Sequence, residues 1–370
     1  MEGVLTAPSP NRRRSVAGPY AVGVSITTHH APLADHTTLR LGGPATTMVE
    51  ATTGADILAA LRDADDRGDP VLLLAGGSNL VIGDAGFDGT VILVRSTGLV
   101  ARPDGDDVLV TVQAGHSWDE VVATAVAEGW SGIEFLSGIP GSAGATPVQN
   151  VGAYGQEIAA SFVVATVHDR HDDTTRGFTA ADCRFGYRAS VFKHNPRYVV
   201  LDVTYRLRRD RLSAPIAYAE TARALDVPVG SGVPLGVARD TVLKLRAGKG
   251  MVLDPHDPDT RSAGSFFMNP VLDRAAFDAL CERLGETPPH FPAGSEVKVP
   301  AAWLIGRAGF EKGYGRDGVA VSGKHTLALT NRGHGTTTAL LALAGEIRDG
   351  VRQRLGVTLR PEPVLVNARL

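Results

Sequence analysis

A serine, an arginine and a glutamate stand at three distant points of the sequence in settings that favour chemistry. Ser265 follows two small residues and precedes two phenylalanines, in AGSFF. The motif alone favours a turn-capping serine over a hydroxyl in a partly dry pocket. Arg188 follows Phe-Gly-Tyr, and its planar guanidinium matches a carboxylate, although a surface charge is the ordinary alternative. Glu362 lies between two prolines, which fix the backbone and present the carboxylate rigidly unless it is simply solvated.

Two glycine-rich stretches could hold an anionic ligand. Residues 75–79 read AGGSN after an apolar strand, and residues 139–157 read IPGSAGATPVQNVGAYGQE. Glycines let backbone amides approach a ligand, and successive amides form a concave site that suits a diphosphate. Gln149 and Asn150 add amide groups that suit the edge of a flat heterocycle. One such loop is as often a bare surface loop, but two in one chain favour a nucleotide. Neither is the dinucleotide G-x-G-x-x-G fingerprint or a P-loop.

Other charged clusters have weaker claims. Arg246 and Lys249, flanked by glycines, form either a phosphate clamp or the basic end of a helix. Two His/Asp clusters, at residues 168–173 and 254–259, lack the ligand spacing of a known metal site. We therefore expect solvated loops there and no metal.

Composition limits the class of protein. A chain of 370 residues with 43% hydrophobic residues can form two or three domains, and its net charge of −3 argues against nucleic acid as a partner. Cys183 and Cys281 cannot make a disulfide framework, so we expect buried free thiols in a reducing compartment. No window is apolar enough to span a bilayer, and the basic N-terminus has no apolar region behind it, so a membrane or secretory location is not expected.

The elements alternate in an α+β pattern. An amphipathic helix at 54–68 precedes an apolar strand at 71–74, and Ser117 with Glu120 has the spacing of a capping box for a helix that Gly129 ends. Strands are predicted at 162–168, 184–187 and 198–206. Residues 210–242 lose periodicity and are interpreted as a linker. Helices at 273–284 and 336–355, with a strand at 364–366, complete the chain.

Taken together, seven motifs in this order resemble the UDP-N-acetylenolpyruvoylglucosamine reductases (MurB), flavoenzymes of peptidoglycan precursor synthesis. The resemblance runs from about residue 37 to residue 366. Its motifs are TLRLGG at 38–43, GGSNL at 76–80, IPG at 139–141, QNVGAYG at 149–155, FGYR at 185–188, AGSFF at 263–267 and Pro361-Glu362.

The resemblance implies a fold and a domain division. The fold is α+β, with a two-lobed FAD-binding domain of the vanillyl-alcohol-oxidase (PCMH) type and a C-terminal α+β substrate-binding domain. The expected division is a disordered extension at 1–30, the FAD-binding domain at 31–210 with lobes at about 31–100 and 101–210, a linker or inserted loop at 211–242, the substrate-binding domain at 243–358, and a C-terminal strand at 359–370 that carries Glu362.

The resemblance also implies roles for individual residues. Ser265 matches the serine that protonates the substrate, and Arg188 and Glu362 match the pair that stabilises the enolic intermediate. Tyr187, Tyr218, Lys249 and Asn269 match substrate-binding positions, Tyr218 being the tyrosine of the family's first type. The implied FAD contacts are Gly76, Gly77, Ser78, Asn79, Leu80, Gly141, Gly144, Gln149, Asn150, Gly152 and Gly155. NADPH is the implied reductant, and a cytoplasmic monomer that binds neither nucleic acid nor membranes is expected.

Two departures and two alternatives remain. The family's first loop often reads Gly-Gly-Gly-Ser-Asn or Gly-Glu-Gly-Ser-Asn, and this chain has Ala75-Gly76-Gly77, in which Ala75 fits if its φ is negative. The acidic segment 254–260 is longer than the family pattern, which leaves its geometry open. An FAD-dependent oxidase or dehydrogenase of the same fold is the first alternative function, and it would not need the serine, arginine and glutamate. A flavin- or nucleotide-sugar-binding protein without turnover is the second.

Overall fold

The computed structural model of the protein describes residues 26–370. The first 25 residues of the predicted extension lie outside the described residues. Residues 26–30 belong to strand β1 (Ile26–Pro32), so the predicted end of the extension at residue 30 is wrong. Only Ala31 of this strand is buried, and backbone pairing with the next strand holds it in place. An edge strand without an apolar face gives no sequence signal.

A mixed four-stranded sheet forms the first unit, in the order β1-β2-β5-β3. Strand β5 pairs in parallel with both β2 and β3. Helix α1 packs against this sheet. It begins at a capping box formed by Thr53 and Asp56 and ends at Gly68, which is in the left-handed conformation. The further elements of the first unit are β2 (Pro44–Ala51), α1 (Gly54–Arg67), β3 (Val71–Leu74), β4 (Leu80–Ile82) and β5 (Phe87–Val94).

An antiparallel sheet forms the second unit, in the order β12-β11-β13-β7-β6, with β8 also paired to β13. Its elements are β6 (Leu99–Asp104), β7 (Asp107–Gln113), α2 (Trp118–Glu128), β8 (Trp130–Ser131), β9 (Gly152–Ala153), β10 (Gln156–Glu157), β11 (Phe162–Asp169), β12 (Thr174–Thr179), α3 (Ala180–Cys183) and β13 (Tyr198–Arg209). Because β6 begins at residue 99 and pairs with β7, the predicted lobe boundary at 100/101 falls inside a strand and is wrong.

Two local predictions in the second unit are wrong. Ser117 precedes helix α2, but its side chain makes no capping hydrogen bond. The first amide of the helix, Trp118 N–H, instead donates to the carbonyl of Gly141 at 3.1 Å, so a tertiary contact replaces the local cap. Residues 184–187 form a turn rather than a strand, because Arg184 is in the left-handed conformation and Gly186 pairs only with Ala189.

The predicted linker at 211–242 carries two helices, α4 (Ala219–Leu225) and α5 (Leu235–Gly248). The domain boundary predicted at residue 242 lies inside α5 and is wrong. Val242 is buried in a cluster with Ile216, Ala238 and Phe135 of the second unit. The segment therefore packs against the second unit, and its prolines and glycines hid the apolar positions that do so.

The C-terminal unit contains two small antiparallel sheets, in the orders β14-β20-β19-β18 and β15-β17-β16, packed with helices around one core. Asp273, Pro300 and Thr336 are the N-cap residues of its helices. Its elements are β14 (Ser262–Ser265), β15 (Val271–Leu272), α6 (Arg274–Leu284), β16 (Phe291–Ala293), β17 (Glu296–Lys298), α7 (Ala301–Arg307), β18 (Gly315–Arg316), β19 (Val319–Val321), β20 (Ala328–Asn331), α8 (Thr337–Leu355) and β21 (Val364–Val366).

The C-terminal strand returns to the first unit. Strand β21 pairs in parallel with β4, and the Asp84 carboxylate accepts hydrogen bonds from the first amides of α8, at Thr337 and Thr338. A carboxylate at a helix N-terminus is favourable because the amides there have no partners within the helix. The first and last units are therefore held together beside the loop that precedes β4.

Two further sequence expectations concern thiols and membranes. Cys183 is buried as a free thiol, whereas Cys281 is only partly buried, so its predicted full burial is wrong. Within residues 26–370, no helix combines the length and the apolar character needed to cross a bilayer.

Candidate active site

The two glycine-rich loops touch each other. A Cβ on Gly76 would lie 2.7 Å from the Cα of Gly141, so only glycine allows this approach. The Ser78 hydroxyl donates to the carbonyl of Pro140 at 3.0 Å, which ties the loops together. Ala75 has no positive φ, so the replacement of the family's residue is compatible with the turn. The two loops therefore form one continuous surface of backbone groups. The sequence showed them only as two separate motifs.

Side-chain amides extend this contact toward the C-terminus. Asn79 Nδ2 donates to Gln149 Oε1 at 2.6 Å, and the Gln149 amide nitrogen reaches Glu362 Oε1 at 3.5 Å. The carbonyl of Asn79 also accepts from the Val364 amide at 2.9 Å. The two loops and the Glu362 segment are therefore parts of a single site.

Backbone pairing brings Ser265 and Glu362 together across the core of the C-terminal unit. The Glu362 amide donates to the carbonyl of Phe266 at 2.9 Å, and Phe267 forms an isolated bridge with Pro361. Both phenylalanines are buried at about 1% exposure. They anchor the chain immediately after the serine, which explains why large aromatics follow it in the sequence.

Arg188 forms an ion pair with Glu362. Its Nε lies 3.1 Å from Glu362 Oε1, and one of its terminal nitrogens donates to the carbonyl of Gly152 at 2.6 Å. The side chains are 19% and 14% exposed, so the pair is largely withdrawn from water. Arg188 adopts a left-handed backbone conformation with φ of 54°, which aims the guanidinium back at the glycine loop.

Burial dominates the electrostatics of Glu362. It raises the pKa of this carboxyl above its ordinary value, although the charges of Arg188 and Lys193 act in the opposite direction. The Lys193 ammonium donates to the carbonyls of Glu362 and Arg188 at 3.1 and 3.2 Å, and burial lowers its pKa. Lys193 lies five residues after Arg188 in the sequence. Its function of holding both backbones depends on tertiary contacts that carry no motif.

The Ser265 hydroxyl has no hydrogen-bond partner among residues 26–370, and the residue is partly buried. Gly264, with φ of 72°, turns the chain immediately before it. The hydroxyl does not cap a local turn, so the alternative that the motif alone favoured is wrong. An unengaged hydroxyl in a cavity wall is free to bond to a ligand.

One cavity of about 1270 Å³ brings the sequence-predicted residues together. Its volume exceeds the range of about 300–1,000 Å³ typical of single-ligand pockets, so it can hold two ligands side by side. The predicted residues in its wall are Gly76, Gly77, Ser78, Asn79, Leu80, Gly141, Gly144, Gln149, Gly152, Gly155, Tyr187, Arg188, Tyr218, Lys249, Ser265, Asn269 and Glu362.

Asn150 is the exception. Its side chain is buried, donates to Glu157 Oε2 at 2.8 Å and to the carbonyl of Gly186 at 3.3 Å, and accepts from the Ala159 amide at 3.1 Å. These bonds leave its amide group facing the protein rather than the cavity. The predicted cofactor contact of this side chain is wrong, because Asn150 shapes the loop from behind.

Three aromatic and polar residues line the cavity beside the Arg188–Glu362 pair. Lys298 Nζ lies 4.3 Å from the centre of the Tyr187 ring. Burial raises the pKa of Tyr187, and hydrogen bonds with Asn269 oppose that shift. Asn269 itself is fixed by accepting from the Ala301 amide at 2.9 Å. Lys298 was missed from the sequence, where it is an isolated lysine in a short strand.

A second group of charges lies at the Lys249 end. Lys249 Nζ pairs with Glu220 at 2.7 Å and lies 5.6 Å from the centre of the Tyr154 ring. Tyr218 packs edge-on against the same ring at 5.8 Å. Tyr154 was quoted within QNVGAYG but given no function, and Glu220 was missed. Burial raises the pKa of Tyr154 to about 12, so this phenol is protonated at neutral pH.

Two more cavity residues were not assigned from the sequence to this site. Burial of His325, reinforced by Lys249 and Lys312, lowers the pKa of its imidazole to about 4, so the ring is neutral at pH 7. Arg246 is 9% exposed, donates to the carbonyl of Met251 at 2.8 Å, and has a buried Nε that finds no partner in the described part of the chain. The phosphate-clamp interpretation of Arg246 and Lys249 remains compatible with this placement.

The His/Asp clusters form ion pairs instead of a metal site. Asp169 binds Arg197 in a bidentate pair at 2.6 and 2.7 Å, and Asp259 pairs with Arg332 at 2.6 Å. Lys324 pairs with Asp257 at 2.6 Å. The acidic 254–260 segment is thereby fixed to the C-terminal unit. Within the described part of the chain, no three His, Cys, Asp or Glu side chains are grouped to hold a metal ion.

Comparison with known proteins supplies the family. A model of the FAD binding domain matches residues 45–169, and a model of the UDP-N-acetylenolpyruvoylglucosamine reductase C-terminal domain matches residues 255–366. The UDP-N-acetylenolpyruvoylglucosamine reductases of Salinispora arenicola and Thermobifida fusca are 59% and 55% identical to this chain. They cover 91% and 92% of it, and the matches span 95% and 98% of those relatives.

The chain belongs to the UDP-N-acetylenolpyruvoylglucosamine reductase family. The crystal structure of MurB from Thermus caldophilus has a TM-score of 0.62 at 23% identity and covers 93% of this chain and 99% of that one. This similarity and the two family models confirm the predicted fold class. As a member of the reductase family with a matched FAD-binding domain, the chain is an FAD-dependent oxidoreductase.

The walls of the cavity fit the flavin nucleotide of the reductase family. Gly76 and Gly141 leave a cradle of backbone that a Cβ would fill, and such a cradle suits a diphosphate. Ser78 and Asn79 lie beside it, and Trp118 packs behind it with a buried indole nitrogen that has no partner in residues 26–370. The cavity is also large enough for a substrate next to the flavin.

Proposed function

We propose that this protein reduces UDP-N-acetylglucosamine enolpyruvate to UDP-N-acetylmuramate with NADPH, in peptidoglycan precursor synthesis. The observation that carries the proposal is the meeting of Ser265, Arg188 and Glu362 in one cavity with both glycine-rich loops. Relatives at 59% and 55% identity that bear the reductase name support the choice of substrate.

The first step assigns the cofactor site. FAD would be held by Gly76, Gly77, Ser78, Asn79 and Leu80 of the first loop and by the following residues of the second: Gly141, Gly144, Gln149, Gly152 and Gly155. When bound, FAD supplies the hydride that it has taken from NADPH. The protein's own contribution is placement, exclusion of water and control of charge and protons around the substrate.

Arg188 and Glu362 would stabilise charge on the substrate. Hydride addition to the terminal carbon of an enolpyruvyl ether pushes electrons toward its carboxylate and produces an enolic dianion. A guanidinium and a protonated carboxyl both donate hydrogen bonds to such a group, and donors fixed in advance in a dry site are the most effective. The raised pKa of Glu362 supports a carboxyl that is protonated, or shares a proton, in the closed complex.

Ser265 would then deliver a proton to the carbon next to the carboxylate. Its hydroxyl has no partner within residues 26–370, so it is available to a substrate. Serine is a weak acid, and it can act here only because the neighbouring guanidinium and carboxyl stabilise the charge that accepts the proton. The three residues therefore work as a unit.

Four residues would bind the substrate. Tyr187 and Asn269 lie beside the Arg188–Glu362 pair, and Tyr218 and Lys249 lie at the Glu220 end. The C-terminal unit would cover the substrate. We propose a cytoplasmic location, since the substrate and NADPH are cytoplasmic metabolites. We also propose that the protein is a monomer.

Glu362→Gln is expected to separate activity from stability. Turnover should fall at least about 100-fold, because the amide cannot supply the acidic proton. The raised pKa means that ionisation of Glu362 costs folding stability above its ordinary pKa of 4.5. Glutamine cannot ionise, so the variant should be at least as stable as wild type, with an advantage that grows as pH rises from 4.5 through the raised pKa.

Thermal unfolding between pH 4.5 and 8, together with kcat, measures both effects. Glu296→Gln, at an exposed position without an ion pair in the described residues, is the matched control and should change neither. A pH–rate profile left unchanged by Glu362→Gln, or a stability loss that grows with pH, would contradict the assignment.

Steady-state kinetics test the function as a whole. NADPH oxidation by the purified yellow protein should depend on added UDP-N-acetylglucosamine enolpyruvate and yield UDP-N-acetylmuramate in equal amount. Oxidation of an alcohol with oxygen as acceptor, and no dependence on the enolpyruvyl nucleotide, would indicate an oxidase of the same fold. A colourless protein that binds no FAD would exclude both reactions.

A further inference from the structure

The Lys249 end of the cavity holds a carboxylate where an anionic ligand is expected. Glu220 Oε2 lies 2.7 Å from Lys249 Nζ, and both side chains are about one-third exposed, at 32% and 31%. Both residues line the cavity. Two cations, Lys249 and Arg246, are presented there on one turn of α5, which is the arrangement that the sequence suggested as a phosphate clamp.

Glu220 acts against several positive charges at this end of the cavity. Burial lowers the pKa of His325, the charges of Lys249, Lys312 and Arg246 lower it further, and the Glu220 carboxylate opposes that shift. Tyr154 and Tyr218 face the same carboxylate, and burial raises the pKa of both phenols. The Glu220 carboxylate thus offsets part of the positive charge at this end of the cavity.

Glu220 is carried by a different helix from Lys249. It lies in the seven-residue helix α4, two positions after Tyr218, whose side chain is 42% exposed. Lys249 is the C-cap residue of helix α5. Breaking the ion pair therefore requires movement of one side chain or of α4, without disturbing either sheet of the FAD-binding region.

We propose that Glu220 competes with the diphosphate of the nucleotide ligand for Lys249. The carboxylate pairs with Lys249 until the diphosphate displaces it. The inference rests on the proposed function, which brings two diphosphate-bearing nucleotides, NADPH and the UDP-linked substrate, to the same cavity in turn. When a nucleotide dissociates, the Glu220 carboxylate replaces the diphosphate on Lys249, and this exchange favours release. Glu220 is a positioning residue that acts through Lys249.

Glu220→Gln is expected to tighten binding of ligands that carry a diphosphate. A partly exposed ion pair contributes at most about 1 kcal/mol, so Kd should fall about three- to fivefold. Calorimetric titration of the FAD-loaded protein with UDP, NADP⁺ and inorganic pyrophosphate measures this change. Uridine, which has no phosphate to bind Lys249, should bind with unchanged affinity. In turnover the variant should show lower KM and lower kcat together, because product leaves more slowly.

Asp240→Asn is the matched control. Asp240 is exposed on α5, about 13 Å along the helix from Lys249. Its substitution removes one negative charge, as Glu220→Gln does, but leaves the ion pair of Lys249 intact. Its Kd values should stay within about twofold of wild type. Flavin absorbance and unfolding temperature of both variants should match wild type, which excludes a general loss of structure.

The choice of ligands tests the function of Glu220 separately from the proposed substrate. Tighter binding of UDP, NADP⁺ or pyrophosphate by Glu220→Gln supports the inference, and the tightened ligand identifies which diphosphate uses Lys249. Unchanged or weaker binding of all three overturns it, as does equal tightening by Asp240→Asn. If the wild-type protein bound pyrophosphate as tightly as UDP, the proposed substrate would be contradicted. The pyrophosphate titration of Glu220→Gln would still decide the function of Glu220.

Discussion

Ser265→Ala is expected to lower kcat/KM for the enolpyruvyl nucleotide about 100- to 10,000-fold, the range that general acid catalysis contributes. The reason is chemical rather than structural. The hydroxyl makes no hydrogen bond within residues 26–370, so its removal breaks no contact of the folded protein. The methyl group of alanine fits the same strand pairing with Ala328.

The variant should still accept electrons from NADPH. Rapid mixing of the oxidised FAD-loaded variant with NADPH should bleach the flavin at the wild-type rate, because that half of the reaction uses no proton from Ser265. Ser295→Ala, at an exposed serine of the C-terminal unit, is the matched control and should retain full turnover. Loss of flavin reduction in Ser265→Ala, or near-normal turnover, would show that Ser265 is not the proton donor.

Gly76→Ala is expected to abolish stable FAD binding. The new Cβ would lie 2.7 Å from the Cα of Gly141 and 3.3 Å from its amide nitrogen, and both are backbone atoms that cannot rotate away. The two loops must separate, and the cradle between them opens. We expect at least about a hundredfold increase in Kd for FAD, since a shift of about 1 Å at a positioned site has an effect of that size.

Flavin content after purification and titration of the apoprotein with FAD measure this effect. Gly306→Ala, in helix α7 with open space around the new Cβ, is the control for the substitution itself and should keep its flavin. The apo form of Gly76→Ala should still unfold in one cooperative transition, which distinguishes an opened cradle from a lost fold. A variant that retains a full complement of FAD would contradict the proposed cradle.

The parts of the site that the sequence predicted are those encoded by local motifs. Glycines at 76 and 141 are required by close approach, and prolines on both sides of Glu362 are required by its rigid presentation. Such demands leave a residue-type signature in a few consecutive positions. The residues around Ser265 and Arg188 were recognised in the same way, and the structure places all of them in one cavity.

The parts that the sequence did not predict depend on tertiary contacts. Lys193 and Glu220 act through partners at Glu362 and Lys249, far away in the chain. Asn150 was misassigned because an amide next to a glycine loop fits a ligand or the loop itself equally well, and only its three bonds decide. The helices of the predicted linker were missed because their apolar residues are few and meet Phe135 of another unit.

Anaerobic reoxidation of the reduced protein tests the central claim most directly, namely that a flavin and the three converging residues act on one enolpyruvyl substrate. Protein reduced with one equivalent of NADPH should regain its yellow absorbance when UDP-N-acetylglucosamine enolpyruvate is added in the absence of oxygen, with one UDP-N-acetylmuramate formed per flavin. In Ser265→Ala the colour should return at least about 100-fold more slowly. A wild-type flavin that stays reduced until oxygen is admitted would contradict the account.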